Sequence, residues 1–107
     1  MTNITFYVKS DNSVVGFKSK GHAAYSVKGT DVVCASVSIL IINTINSIEK
    51  LTADKCNYKI NDRRATIDFE MDDIGRESQV LLQALKMGLE GIAGNYPGNV
   101  MIKIEEV

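Results

Sequence analysis

The sequence predicts an α+β domain in which two helices cover one face of a β-sheet. Two observations lead to this fold class. Apolar residues alternate in five short segments, which is the period of a strand, and recur every three or four residues in two long segments, which is the period of a helix. The segments follow one another in the order ββαββαβ, a mixture typical of two packed layers. At 107 residues, the chain is close to the usual size of one domain, so we expect a single domain over 1–107.

The first two strands form a predicted hairpin. Apolar residues alternate along segment 4–10 and share one face: Ile4, Phe6 and Val8. Segment 10–13, Ser-Asp-Asn-Ser, has the composition of a turn, because Asp and Asn side chains bond to their own backbone. Segment 14–20 then returns as the partner strand, and segment 23–30 shows neither period, so we expect a loop there.

The first helix is predicted over 31–51. Its apolar residues recur at helical steps: Val33, Val37, Leu40, Ile41, Ile45, Ile48 and Leu51. Asp31 suits the N-cap position, since its carboxylate can accept from the free amides of the first turn. The segment is apolar on most sides, and we therefore expect it to be the central element of the core.

The second half of the chain repeats the order of hairpin and helix. Segments 56–60 and 65–71 are predicted strands around the turn 61–64, with Ile67 and Phe69 inward and Asp68 and Glu70 outward. The second helix is predicted over 76–96. Its apolar residues at helical steps are Leu81, Leu85, Leu89 and Ile92.

The flanks of this second helix also follow helix rules. Three acidic residues near its start suit the positive end of the helix dipole: Asp72, Asp73 and Glu77. Gly94 or Asn95 can end it before the turn at Pro97-Gly98. The last strand, 99–107, should turn Val100, Ile102 and Ile104 inward.

Composition and charge exclude several classes of partner. The chain has 12 Lys and Arg against 13 Asp and Glu, which gives no sign of nucleic acid binding. No apolar h-region opens the chain and the longest apolar run, 39–42, is far too short to span a bilayer, so we expect a cytoplasmic protein without membrane contact. One region of the sequence is rich in acidic residues, and it could form either a solvated surface or a docking surface for a basic partner. These residues are Asp68, Glu70, Asp72, Asp73 and Glu77.

The reactive residues lie close together in the chain. His22, the single histidine, stands twelve positions before Cys34, and one His with two Cys does not make a zinc site. With Asp31 as the cap, Cys34 would be the third residue of the helix, where free amides and the dipole stabilise a thiolate and can hold an oxyanion. A histidine brought back beside the sulfur could take its proton.

On these residues alone, a purely structural role for Cys34 remains an open alternative. A cysteine in an apolar helix is most often a small buried side chain, and the pattern by itself favours that interpretation. Ser38, one helical turn after Cys34, could bond near the sulfur or to a backbone carbonyl. Cys56 is the first residue of a predicted strand and has no histidine near it in the sequence, so we interpret it as a structural residue.

A longer pattern around Cys34 resembles the ribosomal-processing cysteine protease family, Prp. It runs G-H-A, a short loop, then G-x-D-V-V-C-A-x-x-S. The matching positions are Gly21, His22, Ala23, Gly29, Asp31, Cys34, Ala35 and Ser38. Length and element order also agree with the family, so the resemblance spans the chain, although only 21–38 is specific.

The resemblance implies an activity. Family members remove a short N-terminal extension from large-subunit ribosomal protein twenty-seven, so that its mature N-terminus can reach the peptidyl-transferase region. It implies that Cys34 is the nucleophile and His22 the general base, with Asp31 and Ser38 in support. It also implies a homodimer that needs no cofactor or metal ion.

The loop 23–30 would then be a mobile cover over an extended peptide. The residues assigned to this substrate loop and its hinge are Gly21, Ala23 and Gly29. Peptide docking of this kind resembles the addition of a β-strand, with a pocket for an apolar or aromatic side chain.

Two other functions compete with proteolysis. One is a non-catalytic ribosome-assembly module that binds protein or RNA, although the chain has no basic stripe or aromatic platform in its sequence. The other is a redox sensor, for which Cys56 is the only available resolving thiol.

Overall fold

The computed structural model describes residues 1–21 and 30–107, with the backbone alone at Thr30 and Asp31. The elements in chain order are β1 (Thr2–Val8), β2 (Val14–Lys20), α1 (Thr30–Leu51), β3 (Asn57–Asn61), β4 (Thr66–Glu70), α2 (Arg76–Asn95) and β5 (Val100–Glu106). The predicted order ββαββαβ is therefore confirmed. The predicted boundaries of all seven elements agree with the observed ones to within two residues.

The strands form a single five-stranded sheet in the order β3-β4-β2-β1-β5. β1 pairs antiparallel with β2 and parallel with β5, and both pairings of β4 are antiparallel. The turn between β1 and β2 forms as predicted, since the Asp11 carboxylate accepts from the Ser13 amide at 3.0 Å.

The core lies between the helices and one face of this sheet. Ile4, Phe6 and Val8 are buried, as predicted. Cross-strand pairing aligns Phe6 with Phe17, and Phe17 with Phe69. The Phe17 and Phe69 rings stack with centroids 4.9 Å apart, an arrangement worth about 0.5–1.5 kcal/mol beyond the burial of the rings. The two-layer α+β fold is confirmed.

α1 contributes five residues to the buried core, in keeping with the prediction that it is a central core element: Val33, Val37, Ile41, Ile45 and Ile48. One stripe of α1 packs on the sheet, and the outward face leaves Val32 and Ile39 about two-thirds exposed, at 68% and 67%. Among the described residues, both helices lie on the same face of the sheet, and α1 therefore keeps one side toward solvent. Length and composition alone would let Val32–Leu51 cross a bilayer, but the core helix of a globular protein passes the same test, and α1 holds that place here.

Two residues predicted to be inward are exposed. Leu51, the last residue of α1, is 71% exposed, and Ile104 is 46% exposed on β5, an edge strand whose far end has little covering it. The other inward predictions are confirmed in whole or in part. The partly buried residues that pack against the core are Leu40, Ile67, Leu81, Ile92 and Ile102.

The start of α2 is capped by a residue from another part of the chain. Its N-cap, Gly75, has no side chain to offer. The Asp54 carboxylate, from the connection between α1 and β3, accepts from the Gly75 amide at 2.9 Å and from the Ser78 hydroxyl at 2.5 Å. These hydrogen bonds hold the pKa of Asp54 below its usual value, because both favour the charged carboxylate. Asp54 thereby fixes α2 to the end of α1.

We expect Asp54→Asn to lower the Tm by a few degrees at pH 7, since the ionised cap at the start of α2 is lost. The pKa of Asp54 is lower in the folded protein than in the unfolded chain, where it is about 4. The ionised carboxylate therefore stabilises the folded state above about pH 4, and this stabilisation is lost as the pH falls through the pKa of the folded state. The Tm difference between the wild type and Asp54→Asn should therefore shrink on acidification, as measured by thermal denaturation between pH 7 and pH 2.5. Asp73→Asn, at an exposed site just before α2, is the control and should change little. A Tm difference that persists unchanged at low pH would contradict the cap.

Candidate active site

A cavity of about 330 Å³ opens between the first half of α1 and the neighbouring ends of the strands. From α1 it is lined by Cys34, Val37, Ser38, Ile41 and Ile42. From the sheet and its turns it is lined by Thr2, Ser19, Gly21, Ile60, Asp62, Ala65, Thr66 and Ile67. The lining is mainly apolar, with hydroxyl groups and one carboxylate, so it suits an apolar side chain attached to a polar backbone.

Cys34 lies in the wall of this cavity and is partly exposed. The prediction that Asp31 is the N-cap is wrong, because α1 begins at Thr30 and Asp31 is its second residue. Cys34 is consequently the fifth residue, about 6 Å along the axis from the helix start. The dipole falls off within the first turn, so its support for a thiolate is weaker than the sequence suggested. Cα–Cβ bonds tilt toward the N-terminus of a helix, which directs the thiol back over that turn.

Ser38 lines the same cavity as Cys34, one turn further along α1. The two side chains share a helix face, as their spacing predicted. The Ser38 side chain is exposed, so it is accessible to a ligand that enters the cavity.

Gly21 is held in a conformation that an L-residue with a side chain rarely adopts. Its φ is +90°, and a Cβ built on it would lie 2.6 Å from the carbonyl oxygen of Met1. Its amide donates to the carbonyl of Ala65 at 2.9 Å. Gly21 thus follows the last residue of β2 and lies in the wall of the cavity, in a backbone conformation that favours glycine.

The remaining predicted site residues lie outside the residues that the structure describes. They are His22, Ala23 and Gly29, together with most of the predicted cover loop 23–30. The chain leaves the described part at Gly21, in the wall of the cavity, and returns at Thr30, four residues before Cys34. The structure therefore brings Gly21, Cys34 and Ser38 together.

Sequence reasoning missed the contribution of the β3–β4 turn. Asp62, Ala65 and Thr66 line the cavity although they are distant from Cys34 in the chain. Ala65 has a φ of 51°, which costs a non-glycine residue about 1–2 kcal/mol. Strain of this kind collects at functional sites. The sequence carries no local signal for it, because an alanine does not mark a left-handed turn position.

Cys56 has no part in this cavity. Burial, and then the carboxylate of Glu49, raise the pKa of the Cys56 thiol. Glu49 is fifteen residues after Cys34 on α1, which is about 22 Å along the helix axis. A disulfide needs Cα atoms within about 7 Å, so Cys56 cannot serve Cys34 as a resolving thiol within one chain.

Metal ligands do not gather around the cavity in the part of the chain that the structure describes. Within 1–21 and 30–107, no three His, Cys, Asp or Glu side chains lie close enough to hold a metal ion. The chemistry available there is that of a thiol beside an apolar pocket.

Comparison with known proteins points to one family. Residues 1–101 match the family model described as Cysteine protease Prp. The ribosomal processing cysteine protease Prp of Mycoplasma genitalium is 30% identical over 87 residues, which cover 81% of this chain and 85% of that protein.

Solved structures agree in fold. The ribosomal processing protease Prp from S. aureus in complex with a substrate peptide superimposes with a TM-score of 0.91 at 24% identity, covering 98% of this chain and all of the other. The same protease with a covalently linked product peptide gives 0.90 over the same share of both chains, again at 24% identity.

We expect Gly21→Ala to destabilise the fold by about 1–3 kcal/mol, because the new methyl group meets the Met1 carbonyl and φ is unfavourable. Chemical denaturation measures the change. Gly91→Ala is the matched control, since Gly91 lies inside α2 with open space around its Cα, and should stabilise the protein by about 0.5–1 kcal/mol. Equal effects of the two substitutions would mean that Gly21 is not constrained as described.

Proposed function

This chain belongs to the Prp family of cysteine proteases, and from that premise we propose that it removes the N-terminal extension of the precursor of bacterial large-subunit ribosomal protein twenty-seven, in the cytoplasm. The catalytic pair in this proposal is Cys34 and His22. The observation that supports it is that Gly21, the residue before His22 in the chain, lines the same cavity as Cys34.

The proposed reaction is acyl transfer through a thioester. The His22 imidazole takes the proton of the Cys34 thiol, and the thiolate adds to the carbonyl carbon of the scissile peptide bond. The C–N bond then breaks as the imidazolium gives its proton to the leaving amine. Water, deprotonated by the same imidazole, hydrolyses the thioester and regenerates the thiol.

His22 carries most of the thiol activation in this proposal. Cys34 is one turn inside α1, where the dipole is weak, so an adjacent base matters more than the helix start. The amides of the first turn are still without intrahelical acceptors, and the thiol leans back over them. They are therefore the proposed donors to the oxyanion.

The cavity supports recognition of an extended peptide with an apolar or aromatic side chain. Val37, Ile41 and Ile67 form its apolar wall, and Ile60 lies beside them on β3, which is an edge strand. An edge strand offers unpaired backbone groups to which an extended chain can pair. Ser38 and Asp31 keep supporting roles in the proposal, and the loop 23–30, with Ala23 and Gly29, would cover the bound peptide.

We expect Cys34→Ala to abolish cleavage of the precursor and His22→Gln to reduce kcat/KM by about a thousandfold or more, because each removes one half of a unit that acts together. Intact-mass spectrometry of precursor and product measures this. Cys56→Ala is the control and should keep nearly full activity. Cleavage by Cys34→Ala would disprove the assignment, and a host precursor that begins directly with its mature sequence would disprove the substrate.

Alkylation tests the dyad without a substrate. Iodoacetamide at pH 7 should modify Cys34 faster than Cys56, whose thiol is kept protonated by burial and by Glu49. His22→Ala should slow the reaction at Cys34 alone. Equal, slow modification of both cysteines would favour a non-catalytic binding module.

We also propose that the chain forms a homodimer. The outward face of α1, with Val32 and Ile39 exposed, offers apolar surface for such a contact. Ile39→Lys should then shift the sedimentation coefficient from dimer to monomer, whereas Met101→Lys, at an exposed position on β5, should not. A wild-type protein that sediments as a monomer at high concentration would contradict the dimer.

A further inference from the structure

A second and larger groove lies at the opposite end of the sheet from Cys34. It has a volume of about 650 Å³ and runs between the β1–β2 turn, the segment before α2, and α2 itself. Its apolar lining consists of Val15, Ile74, Val80, Ala84 and Met87. Neither the fold nor the proposed catalytic site accounts for this groove, which we call the distal groove.

Hydrogen bonds from α2 to the hairpin hold the distal groove open. The Gln79 side chain accepts from the Val14 amide at 2.8 Å and donates to the Val14 carbonyl at 3.0 Å. Gln83 donates to the Asn12 carbonyl at 2.9 Å and to the Gln79 side chain at 2.8 Å. Because both glutamines are fixed in this network, the groove is formed before any ligand arrives, which lowers the entropy cost of binding.

The apolar residues of this groove face solvent to an unusual degree. Val80 is 59% exposed and Met87 is 73% exposed, and they stand two turns apart on one side of α2. A methionine with free rotatable bonds adapts to the shape of what it binds, as do methionines at other docking surfaces. Apolar surface of this kind with a charged rim marks a site of contact with another protein.

The charged residues of the distal groove and its flanks are more acidic than basic. The groove is lined by two cations, Lys9 and Arg76, and two carboxylates, Asp11 and Asp72. Two further exposed carboxylates, Asp73 and Glu77, are each next to a lining residue in the chain and form the rim with them. The whole chain is almost balanced, with 12 Lys and Arg against 13 Asp and Glu, so this end holds a local excess of negative charge.

We propose that the distal groove is an exosite that binds a basic, partly apolar segment of the mature part of the substrate. The inference rests on the proposed function, since it takes the substrate to be a ribosomal protein. Such proteins carry many Lys and Arg because they contact RNA phosphates, and an acidic rim complements them. Apolar contacts in the groove add affinity that charge alone would not supply.

A second copy of this chain fits the distal groove less well. Two copies joined through this end would bring the same acidic rims together, and like charges across an interface oppose association. The outward face of α1, proposed above for the dimer, carries apolar residues without that cluster of carboxylates.

Geometry sets a minimum spacing between the cleavage site and the exosite segment. β1 runs from Thr2, which lines the Cys34 cavity, to Val8. The next residue, Lys9, lines the distal groove. Seven residues of strand span about 23 Å. A substrate that occupies both sites therefore needs at least about seven extended residues between the scissile bond and the bound segment.

The experiment compares two substrates, the full-length precursor and a short peptide that spans the cleavage site. The double variant Asp72→Asn/Met87→Lys should lower kcat/KM for the precursor about tenfold and leave that for the peptide within about twofold. The control Met101→Lys/Glu105→Gln makes the same change of charge on β5 and should change the cleavage of neither substrate.

Salt gives a second test, because it screens the attraction between the acidic rim and a basic segment. Raising the salt concentration from about 50 to about 300 mM shortens the Debye length and should slow cleavage of the precursor more than cleavage of the peptide.

A binding measurement separates this inference from the proposed function. Fluorescently labelled mature ribosomal protein twenty-seven, which lacks the extension, should bind the Cys34→Ala protein, and the groove variant should weaken its Kd about tenfold by anisotropy. If the wild-type protein cleaved neither the precursor nor the peptide, the proposed function would be refuted. The binding measurement would still test the groove, because it does not depend on cleavage. Equal kcat/KM losses for both substrates, or a Kd that the groove variant leaves unchanged, would overturn the exosite.

Discussion

The candidate site depends on how the chain leaves β2. Gly21 sits beneath the Met1 carbonyl at a φ of +90° and is tied to Ala65 by its amide. No side chain fits in that space, so the end of β2 can lie close to the start of β1, while the amide of Gly21 joins it to the β3–β4 turn. This contact places the residue before His22 in the same cavity wall as Cys34. The glycine that precedes the histidine therefore serves the geometry of the site rather than its chemistry.

The position of Cys34 changes the balance of effects that would activate it. A thiol at the first turn would draw on free amides and the dipole, whereas a thiol at the fifth residue of α1 draws less on both. In the proposed dyad, the imidazole of His22 would compensate, because a base acts on a thiol locally and through a hydrogen bond. At Cys56, burial and the carboxylate of Glu49 raise the pKa of the thiol and so oppose its ionisation. Cys56 also lies far from the cavity that Cys34 lines.

The two ends of the sheet serve different purposes. At one end, apolar residues of α1 and the β3–β4 hairpin surround a thiol. At the other, Gln79 binds the backbone of Val14 and keeps α2 at a set distance from the first hairpin. Asp54 fixes the start of α2 independently, by capping it from the α1–β3 connection. A rigid placement of α2 allows a groove to persist beside it, because the apolar side chains there cannot collapse onto the hairpin.

Local patterns in the sequence determined most of the secondary structure and the core. The alternation of Ile4, Phe6 and Val8 and the helical spacing in α1 and α2 predicted the elements, because burial of one face imposes those periods. The motif around Cys34 predicted the family. Tertiary structure alone decided the parallel pairing of β1 with β5, the exposure of Leu51 and Ile104, and the cap from Asp54. It also decided that Asp62 and Ala65 line the same cavity as Cys34. These depend on contacts between residues far apart in the chain, and a period along the sequence carries no information about which distant segment will pack beside it.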